Sequence, residues 1–503
     1  MTLSGKKLAL QIEGGAAIME GNGKLDGRDV KFRWQQFVNP DEHPFASHIT
    51  AKLVADDSLR QSFGVDIEEW VRGPMALDID YKEFSSGYSQ LTFESDITES
   101  ILEISPFEYI KSPGNTGHVK GLVQFGPESR LQEVRDLKIE TEDLNLDNGK
   151  LEFVDYHDEP FLHAGEIPVF RLGENDIAMI FQREQSELLK MEVSGAFLDA
   201  RPFLEDGNSQ KTQEPYDEPP LQISVNVDRM RTHPARLIEN VGAYIHLNDK
   251  GQPLQLELDA KAGNGDIYFR FKPNDIGIMT IRLEADGAGA TLKAFNVYES
   301  IKGGELVIYG EANSPGTPFI LYGNMQITDF RVSDAPILAQ VVNAMSLTSI
   351  PQLLNNEGIT FSRLEAGFDW SLRPGGDLFV LKEGRTSGSS LGLTFEGVVD
   401  KDKDRIDIVG TVVPVSTVNR MFSSIPLIGD ILAGGRDGAI FAATYSVKGA
   451  SASPTVTVNP LAALTPGILR KIFFENDAVP EDTAKENVQP NPELQKRERE
   501  SNN

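Results

Sequence analysis

The word Gly388-Ser389-Ser390-Leu391-Gly392 fits G-x-S-x-G, in which a serine on a strand-to-helix elbow attacks an ester or amide carbonyl. That chemistry needs a sharp turn and a helix directly after the serine. Here Leu391, Leu393 and Phe395 alternate with smaller or polar residues, so a strand follows and Ser390 reads as a turn residue. Asp155, His157, Asp158 and His163 gather metal-capable side chains in a short stretch, but Pro160 interrupts them and no histidine pair has helical spacing. Gly263-Asn264-Gly265 joins two β-type runs and lacks the downstream helix of a phosphate loop, so it reads as a hairpin turn. The remaining histidines, His43, His48, His118, His233 and His246, are scattered. No catalytic set assembles, and neither a metal nor a cofactor is expected; the chain reads as a non-enzyme.

The residues left with a clear physical task are apolar. Leu256, Leu258, Met279, Ile281, Leu283, Leu393 and Phe395 alternate with polar or charged neighbours such as Glu257, Arg282 and Glu396. In a strand this period of two puts every one of them on the face opposite its charged neighbours. Such a face is either the inside of a closed β core or a surface that accepts acyl chains. Few amphipathic helices are long enough to roof so many strands, yet a curled sheet covers its own face, so alternation alone leaves both occupants open.

The positioning elements are mostly short strands. Residues 1–204 repeat alternating runs punctuated by glycine, at Leu8–Gly14, Gly23–Phe32, Ala76–Tyr81, Gln90–Glu94, Gly117–Phe125, Lys138–Leu144, Lys150–Val154, Ile177–Phe181 and Leu188–Phe197. Helical pieces are expected at Ser58–Phe63, Ile67–Trp70 and Ala200–Glu205. Residues 205–220 are polar, proline-bearing and free of aliphatic side chains, which marks a linker or long loop. Residues 221–475 form the next region, with strands at Leu221–Val227 and Ala243–Leu247 and a helix at Ala335–Met345 carrying Ile337, Leu338, Val341, Val342 and Met345. Residues 476–503 are expected to be a disordered tail.

Composition narrows the partners. Of 503 residues 76 are acidic and 48 basic, a net charge of -28, which repels phosphate backbones and excludes nucleic acid as an expected partner. The absence of cysteine removes disulfides, thiolate nucleophiles and cysteine metal sites.

The stretch Thr411–Phe473 alternates helix-like and strand-like pieces. Met421 and Phe422 sit on one short amphipathic helix, Ile431 and Leu432 on a second, and Ile468, Leu469, Ile472 and Phe473 on a third opened by Thr465-Pro466. Between them, Ala439–Lys448 and Thr455–Asn459 read as strands. The words IPLIGDIL at 425–432, GAIFAATY at 438–445, PTVTVNPL at 454–461 and LTPGILR at 464–470 resemble the C-terminal region of the AsmA-like family of bacterial envelope proteins, the YhdP/TamB type. DGAGATLKA at 286–294, IKGG at 301–304 and ITDFRV at 327–332 extend the likeness over residues 221–475. Residues 1–204 match in texture alone.

The resemblance implies an elongated, curled antiparallel β-sheet, groove- or taco-like, with a few short amphipathic helices in a C-terminal cap. It further implies a periplasmic protein, anchored in the inner membrane, that conducts phospholipid or another acyl lipid between inner and outer membrane and so supports envelope integrity. Membrane association would run through an N-terminal anchor, which this sequence does not supply, and through the C-terminal helices. The expectation is therefore a piece of a longer protein or a start at an internal methionine. The competing expectation is a structural or adaptor protein in outer-membrane assembly, with a filled β core. Lipid class, transport direction, oligomeric state and protein partners have no signature in the sequence.

Overall fold

A computed structural model describes residues 2–156, 159–183, 188–205, 219–312, 319–344, 358–372, 376–414, 442–451 and 453–461. Strands take 69% of the described residues and helices 9%, so the fold is mainly β with a few short helices. Two compact units form, Met1–Arg231 with Ile245–Pro253, and Thr232–Tyr244 with the chain from Leu254 onward.

The first unit is built from β1 (Leu3–Glu13), β2 (Ala16–Leu25), β3 (Arg28–Phe37), β4 (Ser47–Ala55), β5 (Val71–Arg72), β6 (Met75–Glu83), β7 (Ser89–Asp96), β8 (Ile101–Ile104), β9 (Tyr109–Lys111), β10 (Gly117–Phe125), β11 (Leu131–Thr141), β12 (Leu144–Tyr156), β13 (Glu159–Leu172), β14 (Asn175–Arg183), β15 (Leu189–Asp199) and β16 (Leu221–His233) as far as Arg231, the last two residues of β16 belonging to the second unit. Its helices are α1 (Asp57–Ser62) and α2 (Arg201–Glu205). Strands β5, β8 and β9 form a small separate sheet. The others follow one another as antiparallel neighbours, with β7 pairing β10 across the small sheet's insertion. Two-residue turns make this meander possible: Gly14-Gly15 and Asp26-Gly27 all have positive φ, the conformation whose twist matches the flanking strands.

One pairing departs from the antiparallel expectation. Strand β16 lies parallel to β15, Leu221 opposite Leu189 through Asp199 opposite Arg231. The polar stretch 205–220 thus connects two neighbouring strands, and the division between units falls further on, at residues 232–253.

The second unit contains β18 (Pro253–Ala262), β19 (Gly265–Pro273), β20 (Met279–Ala285), β21 (Ile301–Ala312), β22 (Phe319–Val332), β23 (Ile359–Leu372), β24 (Leu378–Gly388), β25 (Leu391–Asp400), β26 (Arg405–Pro414), β27 (Ala442–Gly449) and β28 (Thr455–Leu461), preceded by β17 (Arg236–Leu247). From β18 to β28 each strand pairs antiparallel with the next. Helices α3 (Ala288–Ala294) and α4 (Pro336–Ala344) join β20 to β21 and β22 to β23, at the same end of the sheet. The Thr232 hydroxyl donates to the Ala294 carbonyl at 2.6 Å, and Arg236 Nη1 donates to the Lys293 carbonyl at 2.6 Å, which satisfies the last carbonyls of α3.

Three local readings change. Lys138–Leu144, expected as one strand, contains a reversal: Thr141 Oγ1 accepts from the Asp143 and Leu144 amides, so alternation runs on through a turn. Asp26-Gly27 similarly breaks Gly23–Phe32 into two strands. Ile67–Trp70 makes a single hydrogen-bonded turn rather than a helix. Strand β13, with two prolines and several polar residues, had no alternation strong enough to announce it. Met345, Met421, Phe422, Ile431, Leu432, Ile468, Leu469, Ile472, Phe473 and the tail lie outside the described residues.

Candidate functional site

In the second unit, register places all seven alternating apolar residues on one face. Leu256 stands opposite Phe271, Phe271 opposite Ile281, and the row continues through Gly310, Gly323, Phe368, Leu381, Gly397, Ile408 and Val447 to Val456. The next row holds Leu258, Phe269, Leu283, Ile308 and Met325. Leu393 pairs with Val412 and Phe395 with Gly410 on the same face, and Met279 pairs with Pro273. No charged side chain interrupts either row.

The opposite face is charged. Glu257, Arg270 and Arg282 stand in line there, and like-charged neighbours would repel without partners. Arg270 is buried, stacks its guanidinium 3.8 Å from the Tyr268 ring centre, and donates Nη2 to both Asp259 oxygens at 2.8 Å. Arg282 donates to Glu284 at 2.6–2.8 Å. One residue of register therefore separates an alkyl surface from a network of ion pairs.

The apolar face is concave. Phe271 and Phe319 meet edge to face with centroids 5.9 Å apart. Their strands, β19 and β22, are separated by two others, about 14 Å in a flat sheet, and Phe319 lies about 13 Å along β22 from the row of Phe271. Ring contact over that span requires the sheet to curl toward its apolar side. Small residues at the bend, Gly310 opposite Gly323, leave room for it: a Cβ on Gly323 would come within 2.6 Å of the Phe368 ring. Nearby, Phe395 lies across Gly384, whose Cβ would meet the ring at 2.2 Å. Tyr445 lies across Gly410 and donates its hydroxyl to the Thr394 carbonyl at 2.9 Å. Burial pushes the Tyr445 phenol well above its usual value, so it stays protonated.

Coverage is uneven. At the helix end the face is sealed, with Ile267, Ala285, Leu306 and Ile327 all below 5% exposed. Val341 and Val342 of α4 are buried, Leu338 is half-buried and Ile337 faces solvent. Away from that end Leu256, Leu258, Met279, Ile281, Leu283 and Phe395 are half-buried, whereas Leu393 is buried. The first unit repeats the design: Leu10, Met19, Trp34, Ile49, Tyr81, Leu91, Val123, Val134, Leu151, Gly165, Phe181, Met191 and Ile223 form one transverse row. Apart from exposed Leu10 and buried Gly165 these residues are half-buried.

No family model, curated protein or solved structure matches the chain.

The residues with catalytic spelling sit in plain structural settings. Ser389-Ser390 is the two-residue strand-to-strand connection between β24 and β25; beside it the Ser362 hydroxyl of β23 donates to the Ser387 carbonyl of β24. Gly263-Asn264 likewise joins β18 to β19, Gly263 with φ +59°. Asp155 pairs with Arg130, His163 lies within β13, and His157 and Asp158 fall outside the described residues. Among the described residues no helix is long and apolar enough to cross a membrane.

Sequence reading missed the aromatic members of the face: Trp34, Phe181, Phe271, Phe319, Phe368, Trp370 and Phe379. Their signal was present as period-two spacing, for example Ala366, Phe368 and Trp370 against Glu365, Gly367 and Asp369, but which strands lie side by side has no local signature.

Proposed function

We propose that the apolar faces bind acyl lipid and that the chain is a non-catalytic, lipid-conducting segment of an AsmA-like envelope protein. In this reading it works in the periplasm, moving phospholipid between inner and outer membrane. One observation carries the proposal: an uncharged face that is continuous across every strand from β18 to β28, curls inward between β19 and β22, and is half-buried at Leu256, Ile281, Leu381 and Phe395 while buried at Phe271, Phe368 and Val447. A strand of ten to fourteen residues spans roughly 33–46 Å. Half the hydrocarbon thickness of a bilayer is about 15 Å, so an acyl chain fits within one strand's length. Removing a few hundred Å² of apolar surface from water yields several kcal/mol at about 25 cal/mol per Å², enough to hold a chain without a charged clamp.

Native mass spectrometry and solvent extraction of the purified chain test this. Bound glycerophospholipid at defined stoichiometry is the expected result. A second reading draws on the cluster of Ala312, Leu321 and Phe368, buried to 4% exposure or less except Ala312 at 7%: a filled core serving a structural or adaptor protein. A lipid-free chain that still folds cooperatively would favour that reading.

A further inference from the structure

Trp370 stands on the apolar face of the second unit, between Leu321 of β22 and Phe379 of β24. Its ring stacks on Phe379, centroids 5.4 Å apart at 27°, and Phe368 tilts against the same phenyl at 5.9 Å. Phe368 also belongs to a buried cluster with Ala312 and Leu321, against which Met279, Ile281, Phe319, Leu381 and Trp370 itself pack. Every one of these neighbours is apolar. Inside that surround the Trp370 Nε1–H is buried and has no hydrogen-bond partner among the described residues.

A buried indole N–H ordinarily finds an acceptor, and leaving one orphaned is costly. Phenylalanine, used elsewhere in the cluster, would fill the face without that cost. The unanswered donor therefore describes its missing acceptor: a group that arrives on an otherwise apolar occupant. A bare alkyl chain carries none, whereas an acyl chain carries one, the carbonyl oxygen at its head. We propose that Trp370 is a recognition residue for acyl carbonyls, its Nε1–H donating to the ester carbonyl of a glycerolipid whose chain runs over Met279, Ile281 and Leu381. This inference rests on the lipid-binding reading above and adds selectivity to it.

The experiment uses the full chain and two probes of equal chain length and head group, diacyl and dialkyl phosphatidylcholine, the second lacking the carbonyl. Competition in micelles, read by native mass spectrometry, should show a preference for the ester lipid of about three- to tenfold, the range a net neutral hydrogen bond supplies. Trp370→Phe should abolish the preference, bringing the ratio of diacyl to dialkyl binding to about one, with a melting temperature near that of the native chain. Phe379→Leu loosens the packing but keeps the donor, and should retain the preference. Equal binding of both probes to the native chain overturns the assignment of Trp370 while leaving lipid binding intact, as does a preference that survives Trp370→Phe or disappears in Phe379→Leu. Binding of neither probe overturns the lipid reading and the selectivity together.

Discussion

Phe368 and Ile281 share one transverse row yet carry different consequences. Phe368 is 4% exposed and its ring covers Gly323, so Phe368→Ala empties a packed site and should cost about 3–5 kcal/mol in denaturant unfolding. Ile281 is half-buried, so Ile281→Asp should leave the chain folded, at a cost of about 1–3 kcal/mol, while abolishing lipid capture. Global unfolding of Ile281→Asp would show that the face is a closed core. Charges act at single residues too. Asp56 caps α1 by accepting from the Leu59 amide, and the Arg28 guanidinium, followed by that amide, holds its carboxyl below the usual range despite some opposing desolvation. A carboxylate with a depressed folded pKa adds stability above the unfolded value near pH 4 and loses it as pH falls through the folded value. Asp56→Asn keeps a capping oxygen but removes the charge. It should be modestly less stable at pH 6, and the difference should shrink as the pH falls below about 4; a pH-independent difference would contradict the ion-pair account.

The alternation that sorts Leu256 from Glu257 is written in consecutive residues, so the apolar set is legible in the sequence itself. Pairing is a different kind of information. That Phe271 lies beside Ile281, or that β16 runs parallel to β15, depends on contacts distant in sequence, and a polar connection such as 205–220 looks the same between domains as between neighbouring strands. Turns were partly legible: Gly263-Asn264 declared itself, whereas Thr141 to Leu144 hid a reversal inside continuous alternation. Curvature was invisible, because it arises where aromatic rings lie over glycines on adjacent strands. Gly410 shows this: a Cβ there would meet the Thr394 carbonyl at 1.9 Å and the Tyr445 ring at 2.7 Å. Gly410→Val should displace Tyr445, break its bond to Thr394 and destabilise by about 1–3 kcal/mol, measured by thermal melting. Ser390→Ala, in a strand-to-strand turn, should change neither stability nor lipid binding; loss of function in a folded Ser390→Ala chain would restore the serine to consideration as a nucleophile.

For the molecule as a whole, the deciding property is which face meets lipid. A net charge of -28 gives no attraction for anionic head groups, so retention should come from apolar contact and vary little with salt. The most direct measurement places photo-reactive side chains at Leu256, Ile281 and Phe395, and separately at Glu257, Arg282 and Glu396, and exposes each protein to phospholipid under light. The register puts the first three on the concave face and the second three on the charged one. Phospholipid adducts at Leu256, Ile281 and Phe395 with none at their neighbours is the predicted result. Equal labelling of both sets, or no adduct at any position in a folded chain, would contradict lipid binding on this face.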